Sequence, residues 1–238
     1  MNMIGMLLIM ISLYFIGFTF MIIFREKMNP TFWNPIFITL TFFSQMFYCL
    51  MTNINRNSFG GFQVLENISP LCFMTMPLTF IMKEKPKNAY FSMISFLNIG
   101  MFVAMLIDPE YAYLFSFRQE ASLLYLFAAL EHLLCSLFGV YLILSEQVKP
   151  TFKNLGLGAL ILYSVISVAV ICNFIFKTSF FGMNPYGNYH IYMMDFFGSF
   201  YATLIAYYIG IAAVLFAGFG FALLLDRIFH LSENKKNS

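Results

Sequence analysis

Several stretches of this sequence are apolar for about twenty residues in succession, and they limit the fold more than any other feature. A helix needs roughly 20 apolar residues to cross a bilayer, and residues Tyr125–Leu144, YLFAALEHLLCSLFGVYLIL, are one such stretch. Only 10% of the 238 residues are charged and 61% are hydrophobic, which leaves too few charges to cover the surface of a soluble protein. Lipid permits helices or closed barrels, and uninterrupted apolar runs favour helices. We therefore expect an all-α, polytopic membrane protein.

The apolar runs and the polar loops between them predict seven membrane spans in a single helical domain, residues 1–238. The third span is the most irregular, because Pro70 and Pro77 lie within it and proline kinks a helix. The predicted spans are about 3–24, 31–52, 61–82, 89–107, 121–144, 155–176 and 198–225.

The basic residues predict how these spans are oriented. If alternate loops share a side, ten of the 13 Lys and Arg residues fall together and three fall opposite. Cytoplasmic loops carry the excess of basic residues, so we expect the N-terminus to lie outside and the C-terminus in the cytoplasm. The expected location is the cell membrane of a bacterium, with the chain as a multi-pass protein. The larger group is Arg25, Lys27, Lys83, Lys85, Lys87, Lys149, Lys153, Arg227, Lys235 and Lys236, and the smaller is Arg56, Arg118 and Lys177.

Ionisable residues lie in the middle of the fifth span. Cys135 follows Glu131 by four residues and His132 by three, so on the predicted helix it can neighbour either the carboxylate or the imidazole. Ionisable groups at membrane depth are costly and usually mark a functional site that faces protein or water. The fifth span therefore predicts an intramembrane site.

The third span carries a polar stripe that is expected at a similar depth. Ser69, Cys72, Thr75 and Thr79 fall within a sector of about 120° on a helix. Cys72 and His132 each lie about eleven residues from the outer end of their spans, which is roughly 17 Å deep. The two residues would meet if the third and fifth spans touch. The alternative is that these polar groups serve only packing and hydrogen bonds between helices.

Four short motifs, which follow one another along the chain in a particular order, resemble those of a known family. They are PLCFMTMPL in the third span, FLNIGMFVAMLIDPE at the end of the fourth, the His-bearing fifth span continued by VKPTFKNL, and CNFIF followed by NYHIYMM. With these motifs the sequence resembles the YwaF-type family of seven-span integral membrane proteins. That family is similar to eukaryotic membrane phospholipid acyltransferases and, more distantly, to androgen-induced membrane lipid-ester hydrolases.

The resemblance implies that Cys72 is a nucleophile that accepts an acyl group and that His132 is its base. Family members often have a histidine two positions before this cysteine, where the present chain has Pro70. The polar residues that match the end of the sixth span and the loop after it are Asn173, Asn188 and Tyr189.

This chemistry agrees with the residue types. A thiol needs a neighbouring base to become the thiolate that attacks an ester, and a histidine can take that proton and return it to the leaving alcohol. Burial works against this proton transfer, because it raises the pKa of a thiol and lowers that of a histidine, so a wet cavity or Glu131 holding the imidazole would be needed. Candidate donors to the oxyanion are Asn98, Asn173, Ser69 and Thr75.

The leading hypothesis is a membrane-embedded acyltransferase or lipid-ester hydrolase that acts on phospholipid acyl chains through Cys72 and His132. The alternative is a non-enzymatic transporter or solute-binding membrane subunit, in which Glu131, His132, Asn98 and Asn173 line a path for substrate or protons. A third is a structural or immunity-type membrane partner. The expected partners are membrane lipids, whereas nucleic acid, a metal and a cofactor are not expected.

Overall fold

The computed structural model describes residues 3–56, 68–107, 123–177 and 198–236. Within these ranges the chain is helical and contains no strand, which confirms the all-α prediction. Short 3₁₀ helices follow the first and third α-helices at Arg25–Lys27 and Met76–Phe80. The α-helices of the described residues are α1 Met3–Phe24, α2 Pro30–Arg56, α3 Ile68–Thr75, α4 Glu84–Ile107, α5 Leu123–Leu144, α6 Phe152–Phe176 and α7 Phe200–Lys236.

Four helical segments of the described chain are long and apolar enough to cross a membrane. Their outward surfaces are apolar as well, since Ile23, Phe43, Ile175 and Ile209 each expose more than half of their side chains. A helix that is apolar on all sides suits a lipid environment. The segments are Leu8–Lys27, Pro30–Met51, Phe152–Phe176 and Phe200–Phe229.

Helices α4 and α5 form the centre of the bundle. Residues 89–100 of α4 and 135–143 of α5 are buried without interruption. Helix α4 packs against α5, α6 and α7, and α5 also packs against α1 and α2. The described core is therefore built from two helices that the other long helices enclose.

Glycines allow three neighbouring helices to approach the backbone of α4. Gly139 of α5, Gly158 of α6 and Gly218 of α7 all face it. A Cβ atom added at Gly218 would lie 1.9 Å from the carbonyl oxygen of Phe96, a distance that no side chain tolerates. Small residues at such contacts are how membrane helices gain close van der Waals packing.

The third predicted span, 61–82, differs in the structure from one continuous helix. The α-helix ends at Thr75 and the chain continues as the 3₁₀ helix Met76–Phe80, while residues 61–67 lie outside the described ranges. Pro77 has no N–H to donate to the carbonyl of Phe73, so the α-helical hydrogen-bond pattern is interrupted at this point.

The other helices begin and end near the predicted residues, with differences at their polar ends. Helix α4 begins at Glu84, before the predicted residue 89. Pro86 is tolerated there, because the N–H groups of the first helical turn have no acceptor within the helix and the missing N–H of proline costs no hydrogen bond. Helix α6 begins after Thr151, whose hydroxyl accepts a hydrogen bond from the Asn154 N–H. Helix α7 continues to Lys236 instead of ending near residue 225.

Candidate functional site

The Cys72 turn of α3 is fixed to α4 by a tyrosine hydroxyl. Tyr90 donates a hydrogen bond of 2.7 Å to the carbonyl oxygen of Cys72, and its hydroxyl lies 2.8 Å from Thr75 Oγ1. Thr75 in turn donates to the carbonyl oxygen of Leu71 at 2.8 Å. These hydrogen bonds hold the short α3 in place, although it is only eight residues long.

The next residue of α3 contacts the histidine of α5. The rings of Phe73 and His132 meet edge to face, with their centroids 5.5 Å apart and their planes at 80°. Phe73 is fully buried and His132 is half-buried. The structure therefore brings the Cys72 segment of α3 beside the His132 turn of α5.

Five buried residues from four helices form what we call the central polar cluster. Cys135 of α5 is fully buried, and it lies within electrostatic range of Cys72 and Glu131 and next to Thr41 of α2. Tyr90 of α4 lies within electrostatic range of both thiols. The cluster thus consists of Thr41, Cys72, Tyr90, Glu131 and Cys135, and it combines two thiols with a carboxyl group.

Glu131 is the one carboxyl group of this cluster. Its side chain is 2% exposed, and its Oε1 atom has no hydrogen-bond partner among the described residues. A buried polar atom without a partner costs about 1–3 kcal/mol. Glu131 is therefore a group that the fold accommodates at a cost to stability.

Asn98 of α4 lies against α5 near the cluster. Its side-chain amide donates to the backbone carbonyl of Ile94 in its own helix at 2.8 Å, and its backbone carbonyl accepts a hydrogen bond of 2.9 Å from the Ser136 hydroxyl. Ser136 follows Cys135 directly, so Asn98 lies at the depth of the cluster. In this arrangement the amide N–H that was expected to donate to an oxyanion is directed at the Ile94 carbonyl.

The other predicted site residues lie elsewhere or outside the described part. Asn173 is fully buried on α6, a helix that packs against α4 and α7. Thr79, a member of the predicted polar stripe, is buried in the 3₁₀ helix and donates to the carbonyl of Met76. For Ser69 the structure describes only the helical backbone, and Asn188 and Tyr189 lie outside the described residues.

Sequence reasoning did not identify Thr41 and Tyr90 as parts of the site. Thr41 and Gln45 are both buried, and with the nearly buried Asn34 they lie within about 60° of one another on α2. That spacing in an apolar helix is a signal of an inward polar face. Tyr90 gave no comparable signal, because one tyrosine near a lysine-rich helix end is typical of a membrane interface.

The site thus combines a buried thiol, a second thiol, a carboxyl group and a half-buried imidazole at the junction of α2, α3, α4 and α5. A thiol and an imidazole can carry acyl transfer, and a buried carboxyl group can bind a proton or a cation. The resemblance to the YwaF-type family stays a prediction. Comparisons with protein-family models, with curated proteins and with solved structures gave no match for this chain.

Proposed function

We propose that this chain is a membrane-embedded acyltransferase or lipid-ester hydrolase that acts on phospholipid acyl chains, with Cys72 as nucleophile and His132 as base. The observation that carries the proposal is the contact between Phe73 and His132, because it brings the thiol segment of α3 beside the imidazole of α5. Tyr90 supports the proposal as well, since it fixes the backbone of the nucleophile's turn.

The proposed reaction has two steps. In the first, His132 takes the proton of the Cys72 thiol, and the thiolate attacks the carbonyl carbon of a lipid ester. The ester C–O bond breaks, the leaving alcohol receives the proton from His132, and the acyl chain stays on Cys72 as a thioester. In the second, an acceptor alcohol or water attacks the thioester and gives its proton to His132; the C–S bond breaks, the new ester or free fatty acid leaves, and His132 returns the proton to the Cys72 thiolate.

The proposed arrangement has seven membrane crossings, with the N-terminus outside and the C-terminus in the cytoplasm. Four long apolar helices support this arrangement, as do the apolar, enclosed α4 and α5. A fluorescent protein that matures only in the cytoplasm should fluoresce when it is fused to the C-terminus. Fused to the N-terminus, it should be exported and remain non-fluorescent. The opposite pattern would reverse the topology.

The acyl-transfer proposal is tested with purified protein in lipid and an alkyne-tagged acyl phospholipid. We expect label that hydroxylamine removes, since hydroxylamine cleaves thioesters. The label should disappear in Cys72→Ala and His132→Ala and persist in Cys135→Ala, which is the matched control because Cys135 is the other buried thiol of the cluster. Absence of label on the folded wild type with several lipids would contradict the proposal.

A second candidate function is transport or binding of a proton or solute, and the buried Glu131 favours it. In that case Glu131 binds the cargo, and the thiols serve packing. Proton-driven uptake into liposomes should then fall in Glu131→Gln and survive in Cys72→Ser. Loss of uptake in Cys72→Ser alone would argue against this candidate.

A further inference from the structure

A cavity of about 310 Å³ lies at the ends of α1 and α5 and against residues 225–229 of α7, on the side that is predicted to be cytoplasmic. Its inner wall is apolar and buried, and consists of Met28, Ile143 and Leu225. This volume is within the range of small-molecule binding sites. The cavity lies far from the central polar cluster, since Ser145 in its wall follows Cys135 by ten residues, or about 15 Å along α5.

The polar wall of the cavity carries charges of both signs. Glu26, Glu146, Asp226 and Arg25 all line it, so three carboxylates accompany one guanidinium. The Arg25 guanidinium stacks over the Phe229 ring at 4.7 Å, and its Nη2 atom lies 4.0 Å from Glu26 Oε1. A guanidinium has five N–H donors, so it can hold a phosphate while it keeps these contacts.

These charges narrow the class of ligand. The negative excess disfavours a simple anion. Among the described residues there is also no group of three side chains arranged to hold a metal ion. A ligand that carries both an ammonium group and a phosphate has a charge complementary to the carboxylates and another complementary to the Arg25 guanidinium.

The position of the cavity indicates that this ligand is a lipid. Each wall begins where an apolar run ends, with Arg25 directly after Phe24, Ser145 after Leu144 and Asp226 after Leu225. Apolar side chains beside it face outward, since Ile23, Leu224 and Ile228 are each at least half exposed. Acyl chains that emerge from the cavity would therefore lie along apolar surface.

From this geometry we propose a second site, independent of Cys72 and His132, that binds the headgroup of an ammonium-bearing phospholipid such as phosphatidylethanolamine. The carboxylates of Glu146 and Asp226 accept hydrogen bonds from the ammonium group, and Arg25 donates to the phosphate. The headgroup stays at the membrane surface while the chains remain in the bilayer.

The test uses the purified full-length protein in maltoside micelles, titrated with dioctanoyl phosphatidylethanolamine and monitored by thermal unfolding. A ligand that binds the folded state raises the unfolding temperature in a saturable way. Phosphatidylglycerol with the same chains lacks the ammonium group and should bind about tenfold or more weakly, the expected effect of losing charged hydrogen bonds. Equal effects of the two lipids on the unaltered protein would overturn the proposal without any variant.

Two further comparisons locate the site and identify the source of the headgroup. Glu146→Gln and Asp226→Asn should each need about tenfold more phosphatidylethanolamine for half-saturation. Glu84→Gln should behave as wild type, because Glu84 is exposed and lies outside the cavity. Wild-type saturation in both cavity variants would overturn the site. Soluble glycerophosphoethanolamine that saturates at the same concentration as the lipid would overturn the assignment to a lipid.

Discussion

The ring of Phe73 stands edge-on against the imidazole of His132, with the ring centroids 5.5 Å apart. Phe73 follows Cys72 directly, so this contact sets how the thiol segment of α3 lies against α5. In the proposed enzyme, Phe73 is a positioning residue that holds His132 at a fixed orientation relative to the thiol.

The first prediction concerns this contact. Phe73→Leu keeps an apolar side chain but removes the ring edge, so we expect His132 to shift and thioester labelling to slow by about tenfold to a hundredfold. Phe96→Leu is the matched control, because Phe96 is equally buried and packs against Phe219 instead. The measurement is the initial rate of acyl labelling. Equal slowing in both variants would show that Phe73 acts only through general packing.

The second prediction concerns the close approach of α4 and α7. Gly218→Ala places a methyl group against the Phe96 carbonyl and should reduce the free energy of unfolding by about 1–3 kcal/mol or more. Gly220→Ala meets nothing within 4 Å and should be neutral or stabilise the protein by about 0.5–1 kcal/mol. Thermal unfolding in one detergent compares the two. Equal stability of the two variants would mean that α4 and α7 do not pack at this distance.

The third prediction concerns the tyrosine that fixes α3. Tyr90→Phe removes the hydroxyl that bonds to Cys72 O and Thr75 Oγ1, and should weaken the docking of α3 by about 1 kcal/mol. The thiol of Cys72 should then react faster with a maleimide, as measured by peptide mapping. Tyr163→Phe is the control, since its hydroxyl donates to the Tyr208 carbonyl between α6 and α7. No acceleration at Cys72 would show that α3 is held by other contacts.

The fourth prediction concerns the carboxyl group of the cluster. Glu131→Leu removes a buried oxygen that has no hydrogen-bond partner among the described residues, so we expect the free energy of unfolding to rise by about 1–3 kcal/mol. Gln147→Leu offers the contrast, because the Gln147 amide exchanges two hydrogen bonds with Asn34, and its loss should destabilise the protein. A loss of stability in Glu131→Leu would mean that the carboxyl group makes a stabilising interaction. A gain in stability would support a functional reason for Glu131, since proteins retain destabilising groups at active sites.

Particular residues show where sequence reasoning reached the site and where it did not. Glu131, His132 and Cys135 stood out because ionisable residues are rare in an apolar run. Thr41 is signalled only by its spacing with Asn34 and Gln45 on α2, and Tyr90 did not stand out, since a single hydroxyl reveals no partner from the sequence alone. The end of α3 at Thr75 follows from Pro77, but proline alone does not tell whether a helix bends or changes to a 3₁₀ helix.

The sequence by itself determined the helical class, the apolar lengths of α1, α2, α6 and α7, and the rarity of ionisable groups inside the bundle. These properties depend on consecutive residues along one chain segment. The tertiary structure alone decided that α4 and α5 lie at the centre, that Phe73 meets His132, and that Arg25, Glu146 and Asp226 share one cavity. Such contacts depend on the rotation of each helix about its axis and on how closely two backbones approach. A helix that is apolar on nearly every side encodes neither property in its own sequence pattern.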